Sequence, residues 1–262
     1  MDSKGTWLIN DFNLKCFSWY PWENGRLKGN HMAENSVNEI SRIRELMKDG
    51  NYLEAQTGLK EMAKSNPKDP EIIRLFGNTY AYSGFLGKAV KIWRSGLKEF
   101  PKNVDLLYNY ALAFYLRGLL TSAKKFWKKA AKISPDDPEI LFNLALIARD
   151  EGKFRLAIKY WEAALRIDPK NAETINNIGV SFATLGMTGR ATLWYKKALH
   201  EDPEYALAHF NLANSLVERG EFTEARKHAE KAAELDPTTH LNQVKEVFEK
   251  IEARRFQIEE NI

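Results

Sequence analysis

Four asparagines stand 34 residues apart, at Asn109, Asn143, Asn177 and Asn211. A primary amide carries a donor and an acceptor together, the pair that a peptide unit also presents. A row of such amides can therefore hold extended polypeptide backbone without selecting a particular side chain. Asparagine packs no core and has poor helix propensity, which favours contact over folding as its role. The other reactive side chains offer less. His31, His200, His209, His228 and His240 are never spaced to put two on one helical turn, and each reads as a lone surface histidine. Cys16 is the single cysteine, which excludes an internal disulfide and a cysteine-based zinc site, and it has no evident base partner. Gly84-Phe85-Leu86-Gly87 and Gly186-Met187-Thr188-Gly189 lack the surroundings of a phosphate loop. No catalytic residue, metal, cofactor or small-molecule substrate is expected.

The composition is that of a folded chain rather than a disordered one. Of 262 residues, 44% are hydrophobic and 28% charged, and 39 Lys and Arg against 35 Asp and Glu leave a net charge of +4. That excess is too small to argue for nucleic acid. The densest basic run is Lys124, Lys125, Lys128, Lys129 and Lys132, with Lys88, Lys91, Arg94 and Lys98 ahead of it. Such residues can meet phosphate or anionic lipid. More often they form the solvated outer face of a helix. The most apolar stretch, Leu106 to Leu120, is interrupted by Asn109 and Arg117 and falls short of the roughly 20 residues a membrane span needs. The first residues contain no continuous apolar export segment, and a cytoplasmic location is expected.

The elements that would position the amides come from a repeat. Prolines recur at 67, 101, 135, 169, 203 and 237, glycines at 50, 84, 118, 152, 186 and 220, and alanines at 55, 89, 123, 157, 191 and 225. A period of this size means a solenoid or an array. With Ser36 as position one, six units follow without insertion: 36–69, 70–103, 104–137, 138–171, 172–205 and 206–239. Each unit reads as two helices. In the fourth, Ile140, Leu141, Leu144, Ile147 and Ala148 follow helical spacing, Gly152 ends the first helix, and Ala157, Tyr160, Trp161, Ala164 and Leu165 carry the second. Asp137-Pro138-Glu139 and Asp69-Pro70-Glu71 supply an N-cap, a proline in the first turn and a carboxylate at the positive helix end.

Small residues fill position eight (Gly77, Ala111, Ala145, Gly179, Ala213), and aromatics fill position 24 (Trp93, Trp127, Trp161, Tyr195). Tyr80, Phe114, Phe182 and Leu216 stand at position eleven. In period and pattern the chain resembles the tetratricopeptide repeat family over residues 36–239. The aromatics then read as core between paired helices. The first unit carries Glu39 and Arg42 where apolar residues are expected, as an end cap would. Leu241, Val244, Phe248 and Ile251 give residues 240–262 the apolar face of a C-terminal capping helix. The expected fold is an all-α, right-handed α-solenoid of six 34-residue helix-turn-helix repeats with that cap.

The resemblance implies that the first helices line a concave groove, with positions two, five, six, nine, twelve and thirteen facing it. Asn109, Asn143, Asn177 and Asn211 all fall at position six. A similar asparagine ladder holds peptide in the repeat arm of a nucleocytoplasmic glycosyltransferase, although asparagine is also common at this position in the family. Tyr108, Tyr115, Phe142 and Phe210 would supply apolar anchors beside the amides. The expected function is a non-catalytic scaffold or adaptor whose partner is a protein or peptide segment in extended conformation. A carboxylate clamp of the kind found in co-chaperones is a more specific possibility within the family. Arg74, Asn78 and Asn109 match three of its five positions, with Arg in place of Lys. Glu139 and Asn143 fall where the clamp needs Lys and Arg, and Glu139 has the wrong sign for a carboxylate ligand. The residues also leave room for a polyanion binder and for a self-assembling structural protein, so homo-oligomerisation stays open. Residues 1–35 lie outside the repeats, and 1–31 carry Trp7, Phe12, Phe17, Trp19, Tyr20 and Trp22. They read either as a cis ligand for the groove or as an extension ahead of a true start at Met32.

Overall fold

Gly152 takes φ 73°, a left-handed conformation that a Cβ would penalise, and in doing so it closes the first helix of its repeat. Its N–H donates to the Arg149 carbonyl at 2.8 Å, and the Lys153 N–H reaches back to Ala148 at 2.7 Å. Two carbonyls at the helix end are thereby satisfied while the chain reverses. The periodic glycines of the other five repeats share this conformation.

The computed structural model describes residues 34–259. They form thirteen α-helices with no strand among them. The chain divides into two compact units between Pro135 and Asp136. The first unit holds α1 (Glu34–Lys48), α2 (Tyr52–Ser65), α3 (Pro70–Tyr82), α4 (Leu86–Glu99), α5 (Val104–Tyr115) and α6 (Leu120–Ile133). The second holds α7 (Pro138–Asp150), α8 (Phe154–Leu165), α9 (Ala172–Thr184), α10 (Thr188–Glu201), α11 (Ala206–Glu218), α12 (Phe222–Leu235) and α13 (Pro237–Glu259). Within each unit the helices pack as consecutive pairs, and each second helix also packs on the first helix of the next repeat. This is an all-α solenoid of helix-turn-helix repeats. The aromatic N-terminal segment, with Cys16 and His31, lies outside the described residues.

The starts of α3, α5, α7 and α9 are fixed by side chains. Asp69 accepts the Glu71 N–H at 2.8 Å, and Asp137 accepts those of Glu139 and Ile140 at 3.1 and 3.2 Å. Asn103 and Asn171 perform the same task for α5 and α9, accepting from Leu106 and Thr174 at 2.9 and 2.8 Å. The core of each pair is the contact between positions eight and 24. Trp93, Trp127 and Trp161 are fully buried. A Cβ added to Gly77 would collide with Trp93 Nε1, and one added to Gly179 would lie 2.6 Å from Tyr195. The missing methyl has a consequence for hydrogen bonding. Trp93 Nε1 comes close enough to donate to the Arg74 carbonyl at 3.3 Å. Beside Ala111 and Ala145, the buried Nε1 atoms of Trp127 and Trp161 find no partner.

The last repeat solves the same packing problem differently. Ala229 stands at position 24, and α11 meets α12 through two imidazoles instead, with His209 Nδ1 2.8 Å from His228 Nδ1. His209 is buried, and its Nε2 lies 3.0 Å from the Pro203 carbonyl. These two are therefore not lone surface histidines: they sit 19 residues apart on paired helices, a spacing that a single-turn search does not test. The α13 helix then covers the end of the array with Val244, Val247 and Ile251, all buried. At the other end α1 buries Ile40 and Ile43 into the core and leaves Arg42 in solvent.

Two expectations follow. Gly77→Ala should push Trp93 outward and cost its N–H bond, destabilising the fold by about 1–3 kcal/mol despite the better helix propensity of alanine. Urea unfolding measures this. In the last repeat, burial and the neighbouring His209 hold His228 below its ordinary pKa, with Lys196 and Lys227 acting in the same direction and Glu224 opposing them. The unfolded chain thus takes up this proton at a higher pH than the folded one, and stability is lost as the pH falls below about 6.5. The protection of amides in α11 and α12, corrected for the intrinsic exchange rate at each pH, should fall on acidification from neutral pH, and His228→Gln should abolish that response.

Candidate functional site

The first helices α3 and α5 of one unit, and α7, α9 and α11 of the other, carry the residues expected to meet a partner. In the first unit the amides lie deep. Asn109 is 3% exposed, and its Nδ2 has no hydrogen-bond partner. Asn78 is buried, with Oδ1 unpartnered. Tyr108 is buried against Trp127, with ring centroids 6.2 Å apart, and the half-buried Tyr115 packs on the same indole at 5.6 Å. Tyr82 stacks on Tyr52 at 5.8 Å, and burial pushes its hydroxyl up to about 12, with the Arg74 charge acting against that rise.

Arg74 is 2% exposed and committed within its own unit. Its Nε donates to Glu71 Oε2 at 2.7 Å, and Arg44 Nη2 reaches Glu71 Oε1 at 3.0 Å. Burial would raise the Glu71 carboxyl, but the two guanidiniums overcome it and hold the group below the usual carboxylate range. An arginine so engaged is poorly placed to serve as a clamp for an incoming carboxylate.

In the second unit the amides range from fully buried to half-buried. Asn143 is buried and donates to the Glu139 carbonyl of its own helix at 2.8 Å. Asn177 and Asn211 are half-buried. Asn211 Nδ2 donates to Asn176 Oδ1 at 3.0 Å, which links α11 to α9 through two amides. Asn176 is fully buried, and its own Nδ2 has no partner. Phe142 is half-buried against Trp161 at 6.2 Å, and Phe210 is also half-buried. The Asn176–Asn211 bond is one that the position-six ladder does not contain, because it joins position five of one repeat to position six of the next.

Charge on this face is uneven. Glu139 and Glu173 occupy position two of the fourth and fifth repeats. Burial pushes Glu139 up to about 7, and Asp137, Glu173 and Asp168 all add to the rise. Burial likewise pushes Glu173 up to about 6, opposed by Arg149. The guanidinium of Arg149 is itself bonded to Asp150 at 3.0 and 2.9 Å. Basic residues concentrate on the second helices, where Lys125, Lys128, Lys129 and Lys132 of α6 are exposed. No described helix is long and apolar enough to cross a membrane.

Paired helices in register, with polar side chains along the first helix of each pair, define a helical-repeat interaction protein. Residues 74–138 match the tetratricopeptide repeat family, as do residues 138–171 and 206–239. The chain belongs to that family, whose members are generally non-catalytic protein-interaction modules. No curated protein matches it in sequence. Among solved structures, PilF of Pseudomonas aeruginosa aligns with a TM-score of 0.70 at 16% identity, covering 85% of this chain and 96% of PilF. MamA of Desulfovibrio magneticus RS-1, from residue 41 to its end, gives 0.59 at 18% identity over 65% and 96% of the two chains. YrrB, a TPR protein with an unusual peptide-binding site, gives 0.57 at 18% identity over 71% and 97%. At these identities the shared property is the fold.

The half-buried carboxylates supply a test of the electrostatics. Below about pH 4.5, Glu139 is protonated in both folded and unfolded chains. As the pH rises through 7, the folded chain alone must carry a half-buried charge beside three other carboxylates. Attraction to the N-terminus of α7 offsets only about 0.3–1 kcal/mol of this. Glu139→Gln should therefore raise stability at pH 8 by about 1–2 kcal/mol and leave it unchanged at pH 4. Thermal unfolding at the two pH values measures both.

Proposed function

We propose that this chain is a scaffold or adaptor whose first-helix face holds an extended polypeptide segment of a partner protein. The observation that carries the proposal is the linked amide pair of the second unit. Asn211 reaches Asn176 across adjacent repeats at 3.0 Å, the half-buried Asn177 stands beside them, and Asn176 keeps a buried N–H group without an acceptor. Amides held this way retain both donor and acceptor capacity, as an extended backbone requires. Asn143 would add to this row, and Asn109 and Asn78 would offer amides of the same kind within the first unit. Tyr115, Phe142 and Phe210 would offer apolar contact at the rim, with Tyr108 supporting from beneath. YrrB, a solved structure of this fold, has a peptide-binding site of its own, which supports the reading.

The carboxylate clamp is the weaker reading, because Glu71 already occupies Arg74 and Glu139 would repel an acidic tail. In the Asn177→Ala/Asn211→Ala double variant, two amide contacts worth about 0.5–1.5 kcal/mol each are lost, which corresponds to roughly 10–100-fold weaker binding. The variant should be compared with the wild type on an array of random dodecapeptides, after circular dichroism has shown both equally folded. Equal binding by the two proteins would overturn the proposal.

A further inference from the structure

Position two of the repeat is an acidic column, Glu71, Asp105, Glu139 and Glu173, and its members are treated differently. In the first unit Glu71 is held by Arg74 from position five of its own repeat and by Arg44 from position nine of the repeat before. The side chains at those two positions relative to Glu139 are Phe142 and Leu112, and relative to Glu173 they are Asn176 and Leu146. Neither carboxylate can acquire the double guanidinium that Glu71 has. Neither Glu139 nor Glu173 has a cation within ion-pair distance among the described residues. The charges acting on Glu139 are all acidic, and the one cation acting on Glu173 is Arg149, already bonded to Asp150. Asn176 adds an independent sign of a missing group. It lies three residues beyond Glu173 on α9, is fully buried, and has an Nδ2 that lacks an acceptor while its Oδ1 is taken by Asn211.

We propose that the segment held by the second unit is basic, with a lysine or arginine side chain received by Glu139 and Glu173 and a backbone carbonyl accepting from Asn176 Nδ2. This rests on the peptide-binding reading above and gives that site a charge preference. A single residue of the partner supplies both missing groups, the cation from its side chain and the acceptor from its peptide unit. The arginines that the first unit provides in cis around Glu71 show which chemistry a carboxylate at this position accepts. The preference is opposite in sign to that of a carboxylate clamp, whose ligand is acidic.

The test uses the full chain on the same dodecapeptide array, with binders sorted by their content of Lys and Arg. Three proteins are compared: wild type, Glu139→Gln/Glu173→Gln and Asn177→Ala/Asn211→Ala. Wild type should enrich basic peptides. The glutamine variant should bind those peptides about tenfold more weakly while holding neutral ones unchanged. The alanine variant should weaken basic and neutral peptides alike. Circular dichroism checks that all three are equally folded. Binders that are neutral or acidic, or a basic preference that survives in the glutamine variant, would overturn the charge assignment and leave the peptide reading standing. Indifference of every peptide to the alanine variant would overturn both.

Discussion

The structure depends on how closely the first helix of a repeat can approach the large side chain of the second. Where position eight is glycine, the aromatic at position 24 comes close enough that a methyl group could not fit, as Gly77 and Trp93 show. Where it is alanine, the ring is kept back and its N–H loses a partner, as with Trp127 and Trp161. Protein interiors are packed to the density of organic crystals, so a change of one methylene at this contact is felt by both helices. The spacing of each pair sets how deeply the side chains of the first helix sit, and the candidate residues range from fully buried Asn176 to half-buried Asn177 and Asn211. The last repeat, with alanine at position 24, recovers the contact through polar imidazoles, which makes the contact itself sensitive to pH.

Features that one helix carries along its own length are legible in the sequence. Gly152 in the left-handed region, Asp69 and Asp137 at helix starts and the apolar face of α13 each depend on residues within a few positions of one another. Even there, the fully buried Val247 joins the four apolar residues read from the sequence, on the same helical face as Val244 and Ile251, and the asparagine caps Asn103 and Asn171 lack the following proline that marks the aspartates. Features made by two helices are harder to read. The His209–His228 contact spans 19 residues, the Arg44–Glu71 pair 27 and the Asn176–Asn211 bond 35. None of these separations equals the period of 34, so aligning units by position sets the partners in different columns. A column identifies residues with equivalent environments, whereas a contact across repeats joins residues at different positions.

The same distinction explains why the candidate face reads, in sequence, as a ladder of four equivalent asparagines. Equivalence of position does not bring equivalence of state. Asn143 is bonded to its own helix, Asn109 is buried with a free amide, Asn211 is tied to the neighbouring repeat, and Asn177 stands beside that tie. The residue at position five varies beside the constant one, as Arg74, Tyr108, Phe142 and Asn176 in turn, and in the second unit it is Asn176 that Asn211 bonds. A repeat protein thus gains a graded surface from a uniform scaffold by varying one position beside a constant one.

Charge gives the clearest case. A carboxylate at position two has no role in the contact between paired helices, and burying it is costly unless a cation accompanies it. Around Glu71 the chain provides two arginines. Around Glu139 it provides three more carboxylates, and the group is driven toward protonation near neutral pH. Folding alone would favour glutamine there, since an amide keeps the size and hydrogen-bonding capacity without the penalty. Local rules that natural chains break without compensation tend to coincide with functional surfaces, where a partner completes what the fold leaves open. An unpaired acid beside an unpaired amide donor is a pair of such breaks within one helical turn of α9 and its neighbouring repeat. Their coincidence on the first-helix face, and not on the lysine-rich second helices, is what directs attention to that face as the one that meets a partner.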